Sequence, residues 1–150
     1  MFKRIVVPLD GSPLAEGVLP QVKQVAGPDT EIVLVRVPVY VVFDPAMVTP
    51  SMVTAMYEYV QKETSEYLER TTAALRAEGL NVRSELCEGP VALAILECAE
   101  RVQADLIAMS THGRSGVARF LIGSVADRIV RSAKIPVLLL RPPTHGAEHP

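Results

Sequence analysis

Short, almost wholly apolar runs alternate along this chain with longer stretches in which apolar residues recur every three or four positions. Arg4 to Leu9 (RIVVPL), Glu31 to Val37 (EIVLVRV), Leu80 to Cys87 (LNVRSELC), Asp105 to Met109 (DLIAM) and Pro136 to Leu140 (PVLLL) read as strands. Between the first two, Ala15, Val18, Leu19, Val22, Val25 and Ala26 make the stripe of an amphipathic helix. Pro20, which lacks an N–H, should bend that helix, and Gly27-Pro28-Asp29 should stop it. Pro38 to Pro50 predicts an irregular connector. Ser51 to Glu78 predicts one long helix with Tyr57, Val60, Tyr67, Leu68 and Leu75 toward one side, ended by Gly79. Another helix follows Gly89-Pro90, with Ala92, Ile95, Leu96 and Ala99 on its apolar face, and a short one covers Ser124 to Ala133. Strands apolar on both faces belong to a parallel sheet covered by helices on both sides. The pattern therefore predicts one open, doubly wound α/β domain over residues 1–142 and a loose tail over 143–150.

Composition narrows the function classes. With 150 residues, 49% hydrophobic and 21% charged, the chain reads as a soluble globular domain. A net charge of −2 leaves no electrostatic footprint for nucleic acid. No apolar run approaches the ~20 residues of a membrane span, and MFKRIVVPLD lacks the features of a signal peptide. The expected location is cytoplasmic. Cys87 and Cys98 are neither CxxC-spaced nor part of a framework, so they are expected to be reduced structural thiols.

In doubly wound sheets ligands sit beyond the carboxyl ends of the strands, where strand order reverses. The candidate loops are 10–13, 38–50, 88–90 and 110–123. The last belongs to the stretch MSTHGRSGVARFLIGSV, with glycines at 113, 116 and 123. Glycines allow backbone N–H groups to converge into an anion nest, and the helix opened by Gly123-Ser124 adds free N–H groups and a positive dipole end. Arg114 and Arg119 could add charge. The plainer alternative is that Ser124 and Asp127 form a capping box and the loop only turns the chain. The loop is no Walker A, because GxxxxGK[ST] is absent, and the first strand is not followed by a dinucleotide fingerprint. Two further patterns fail on context. His112, Ser115 and Asp10 lack a nucleophile elbow, and the tail's HGAEH is interrupted by Gly146 and has no helix to sit on.

PLDGS at the end of the first strand, the fourth strand running into THG, then nine residues, GS, a helix and PVLLLRP together resemble the universal stress protein family over residues 3–142. The nucleotide-binding branch of that family carries G-x2-G-x9-G-[ST]. Ser110 stands at its first glycine, Gly113 at the second, and Gly123-Ser124 match its end, while Gly116 is not a motif glycine. The resemblance implies a five-stranded parallel sheet of order 3-2-1-4-5 with helices on both faces, and ATP in the crevice between strands 1 and 4. Asp10 would face adenine and ribose, with Val37 packed on the base and Met109 and Ser110 on the nucleoside side. Gly113, Gly123, Ser124 and Val125 would contact phosphate, with His112 and Arg114 alongside, and Pro8 and Leu9 would shape the mouth. A divalent ion, Mg²⁺ or Mn²⁺, shared by phosphate oxygens fits this picture. The serine at 110 raises a question of backbone: a position needing φ > 0 would strain it, whereas an ordinary one leaves its hydroxyl free to bond. The resemblance further implies a homodimer through Pro136 to Leu140. It points to a nucleotide-gated regulator in the stress response with at most slow ATP hydrolysis. The competing expectation is a dimeric interaction module of the same fold that works without nucleotide.

Overall fold

The computed structural model describes residues 1–111 and 122–141. The expected tail, 143–150, lies outside them. The five strands are β1 (Phe2–Pro8), β2 (Ala26–Arg36), β3 (Asn81–Leu86), β4 (Leu106–Ser110) and β5 (Val137–Leu140). All pair in parallel, in the order β3-β2-β1-β4-β5. The helices are α1 (Pro13–Glu16), α2 (Leu19–Val25), α3 (Pro50–Ala77), α4 (Val91–Arg101) and α5 (Ser124–Ser132).

Successive strand side chains point to opposite faces, and here both faces are buried. Val6, Val33, Val35, Ile107 and Met109 pack with Ile95 and Cys98 of α4 and Ile129 of α5. Their chain neighbours Ile5, Val7, Ile32, Leu34, Leu106 and Ala108 pack on the other face with Val22 of α2 and Leu68 and Leu75 of α3. Crossovers early in the chain cover one face and later ones the other. The reversal falls between β1 and β4.

Four local expectations need correction. The first predicted helix is two helices: Gly17 and Val18 break it, and Pro20 sits in the first turn of α2, where its missing N–H costs no bond. The helix does end just before Gly27-Pro28-Asp29, at Val25, but β2 starts ahead of the expected Glu31 and includes those three residues, where the register with β1 slips between the Phe2 and Arg4 pairs; Thr30 closes this stretch by accepting from Gly27 N and donating to Phe2 O. In α3 the buried side chains begin only at Thr64, and Tyr57 is exposed, stacked on Tyr40 at 5.1 Å between ring centroids. Ser124 makes no capping box. Gly123 is the N-cap of α5 with no side-chain cap bond, and Asp127 pairs with Arg131 at 3.0 Å.

Candidate functional site

Where β1 and β4 part, a cavity of about 260 Å³ opens beyond their carboxyl ends. Pro8, Leu9 and Asp10 enter it from β1, Val37 from the end of β2, Met109 and Ser110 from β4, and Gly123, Ser124 and Val125 from the start of α5. These are all the sequence-expected site residues that lie among the described ones. His112, Gly113 and Arg114 lie outside them.

The turn after β1 is held on both sides. Asp10 Oδ1 accepts from the backbone N–H of Ser12 at 2.9 Å and from its hydroxyl, and Ser12 Oγ in turn accepts from Ala15 N, capping α1. Gly11 has φ +86°, and a Cβ there would come within 3.1 Å of the Arg36 guanidinium. Arg36 cannot easily yield: it makes a two-pronged pair with Glu63, at 3.1 and 3.2 Å, and lies over the Tyr67 ring. Tyr67 donates to Glu16 at 2.8 Å. Burial, and then the Glu16 carboxylate, raise the Tyr67 phenol, so it stays a donor.

Ser110 ends β4 in ordinary backbone. Among the described non-glycine residues only Gln103 has positive φ. A side chain is therefore tolerated without strain at the first motif position, and Ser110 Oγ lies 3.4 Å from Ala15 O as a long hydrogen bond. The α5 side of the cavity differs from the α1 side. With Gly123 as N-cap, the cap residue has no side chain to bond the first N–H groups of α5, and a helix start favours an anion.

Sequence reasoning missed part of the lining. Leu14 and Ala15 of α1, Val35 and Val39 around the end of β2, Val91 and Ile95 of α4, and Ala126 also face the cavity. Loop 88–90 was a candidate, and α4 starts directly after it; but Ile95 is 2% exposed and carries the same signal as any core residue. Among the described residues lining the cavity, Asp10 is the only one with a titratable side chain.

A model of the universal stress protein family matches residues 1–141. A universal stress protein of Methanocaldococcus jannaschii is 33% identical over 146 residues, covering 95% of this chain and 84% of that protein. A solved structure of a universal stress protein family member from Burkholderia pseudomallei matches with a TM-score of 0.70 at 29% identity, covering 92% of this chain and 95% of that one. A family member from Arabidopsis thaliana, solved with AMP bound, shares the fold at a TM-score of 0.67 and 16% identity, over 93% of this chain and 91% of that one.

Proposed function

The chain belongs to the universal stress protein family, and on that premise we propose that it binds an adenine nucleotide, ATP, in the crevice between β1 and β4. The observation that carries this reading is convergence. Residues from four separate segments, expected there from motif and strand position, line one apolar cavity beside a helix start whose N-cap is a glycine.

The base packs on Val37 and Met109, with Pro8 and Leu9 at the mouth. Asp10, pre-oriented by Ser12, accepts from ribose hydroxyls or the adenine amino group. About 260 Å³ is slightly less than the ~300–1,000 Å³ of common small-molecule pockets, which suits the nucleoside part with phosphates running out past Gly123. Gly123, Ser124 and Val125 offer backbone N–H groups to phosphate, and His112, Gly113 and Arg114 complete that side by motif. A divalent ion would rest mainly on phosphate oxygens, because the described lining holds one carboxylate. A single carboxylate aimed at the nucleoside is a poor general base for the γ-phosphate, so hydrolysis is at most slow and the nucleotide acts as a regulatory signal.

The direct test is to denature purified protein and identify any released nucleotide, followed by calorimetry with ATP, ADP and AMP. A chain that is empty as isolated and gives no heat with any of the three sinks the proposal.

One observation favours a second reading. β5 is a terminal strand of the sheet with all four residues only half-buried, and bare apolar edges are normally paired or covered. A homodimer through Pro136 to Leu140 would cover it without any nucleotide. Identical sedimentation with and without ATP, together with silent calorimetry, supports that reading over the first.

A further inference from the structure

The second convergence of chemistry lies away from the crevice mouth, between the end of β3 and the last turns of α4. Cys87 follows β3 and Cys98 stands on α4, both as buried free thiols. Their sulfurs and a Glu85 carboxylate oxygen lie within 4.8 Å of one another. Cys98 Sγ donates to Glu85 Oε2 at 3.6 Å. Arg101, one turn after Cys98, bonds the same Oε2 and brings Nη2 to 3.7 Å from Cys87 Sγ. Arg83 holds the other oxygen of Glu85. Both cysteines border the apolar core, but each sulfur also meets a charged group, a guanidinium at Cys87 and a carboxylate at Cys98.

We propose that Cys87 and Cys98 form a peroxide-oxidisable dithiol, with Cys87 as the attacking sulfur and Cys98 as the resolving one. The assignment follows from access and partners. Cys87 keeps 8% exposure beside Arg101, whose side chain is 59% exposed, while Cys98 has none. The Cys87 thiolate attacks the terminal oxygen of a hydroperoxide: the S–O bond forms, the O–O bond breaks, and the leaving alkoxide or hydroxide takes a proton from solvent. Sulfur is oxidised by two electrons and the peroxide is reduced. Cys98, hydrogen-bonded to Glu85, then attacks the Cys87 sulfur. The S–S bond forms, the S–O bond of the sulfenic acid breaks, and the Cys98 proton passes to the departing hydroxide, which leaves as water. A twelve-residue segment from 87 to 98 is closed by the bond.

Electrostatics agrees with this division of labour. The neighbouring Cys98 S–H, and then Arg101, outweigh burial and lower the Cys87 thiol to about 6. The Cys87 thiolate and burial raise Cys98, which keeps its proton until the second step. Burial works to raise Glu85, but Arg83 and Arg101 hold its carboxyl below the ordinary range, so it stays ionised and accepts the Cys98 S–H as a hydrogen bond. Among the described residues, the ionised groups facing Cys87 are thus Glu85 from β3 and Arg101 from α4. A soft divalent cation is the competing occupant of the same donors, but Arg101 already compensates the charge at two of them.

The test treats reduced, full-length protein with stoichiometric hydrogen peroxide at pH 7, followed by acid quench and mass spectrometry. Expected are a loss of about 2 Da, disappearance of both free thiols, a peptide linking Cys87 to Cys98, and reversal by dithiothreitol. Cys98→Ser should stop at a sulfenic acid trapped by dimedone, and Cys87→Ser should not react rapidly. Arg101→Gln, at a largely exposed side chain, should slow Cys87 oxidation about twofold at pH 7 and move the midpoint of its pH–rate profile upward. Thiols that stay unreacted in the folded protein but react once it is unfolded would overturn the proposal. So would disulfides formed only between chains, or Zn²⁺ alone titrating tightly into the reduced protein and shielding both thiols.

Discussion

The two ends of this one sheet are built on opposite plans. At the amino end, polar groups close on each other. Asp105 accepts from the backbone N–H groups of Lys3 at 2.8 Å and Arg4 at 2.9 Å. Arg4 reaches Glu31 and the Val102 carbonyl, and Glu31 also takes Arg83 at 3.0 Å, tying β1, β2 and β3. At the carboxyl end, apolar walls surround a cavity whose described lining holds one carboxylate, Asp10, and a helix start with glycine as its N-cap. The first end is satisfied from within, so it serves stability. The second gathers an apolar hollow with a carboxylate and a helix start, the mix of groups that small-molecule sites use.

Substitutions at the two ends should therefore separate affinity from stability. The largest effect is expected from Asp10→Ala, which removes the cavity's one carboxylate. Nucleotide affinity by calorimetry should fall about 10- to 100-fold, as for a lost charge-assisted hydrogen bond. Affinity unchanged within twofold would take Asp10 out of the site.

At the amino end, Asp105→Asn should leave affinity alone and cost about 2 kcal/mol in urea unfolding. Its pH dependence carries a sign. Burial works to raise the Asp105 carboxyl, but the N–H groups of Lys3 and Arg4 outweigh it and lower the folded-state value. Its stabilisation is therefore fully present above the ordinary aspartate range near 3.9 and is lost as pH falls through the folded-state value. The asparagine variant should show a flatter acid limb. An equally steep limb would point to other carboxylates.

Gly11→Ala is expected to blur the contrast between the ends, because that turn serves both. With φ +86° and the Arg36 guanidinium 3.1 Å from a new Cβ, it should cost about 1–2 kcal/mol and weaken binding by shifting Asp10. The smallest effect is expected away from both ends. Thr64 Oγ1, on the buried face of α3, has no hydrogen-bond partner among the described residues. Thr64→Val keeps the shape and should raise stability by about 1 kcal/mol, read as an increased urea midpoint with unchanged nucleotide binding.

What local pattern can encode was legible in the linear sequence. A strand apolar on both faces needs cover on both faces, so Ile5, Val6 and Val7 already imply a two-sided parallel sheet. The reversal rule then points to loops 10–13 and 110–123, and motif spacing to Gly123-Ser124. Tertiary structure decided matters that depend on distant neighbours. Whether Pro20 bends a helix or starts one turned on the break at Gly17 and Val18, which propensity alone does not locate. Whether Ser110 is strained turned on its place as the last residue of β4, paired with Leu140. Val91 and Ile95 look like any core stripe until the start of α4 is set against the end of β1. Cys87 and Cys98, expected from spacing to be reduced structural thiols, are free thiols, and only the packing of the last turns of α4 by the end of β3 brings Glu85 and Arg101 to the sulfurs. Periodicity is a short-range property of the chain, and reactivity depends on which groups packing makes neighbours.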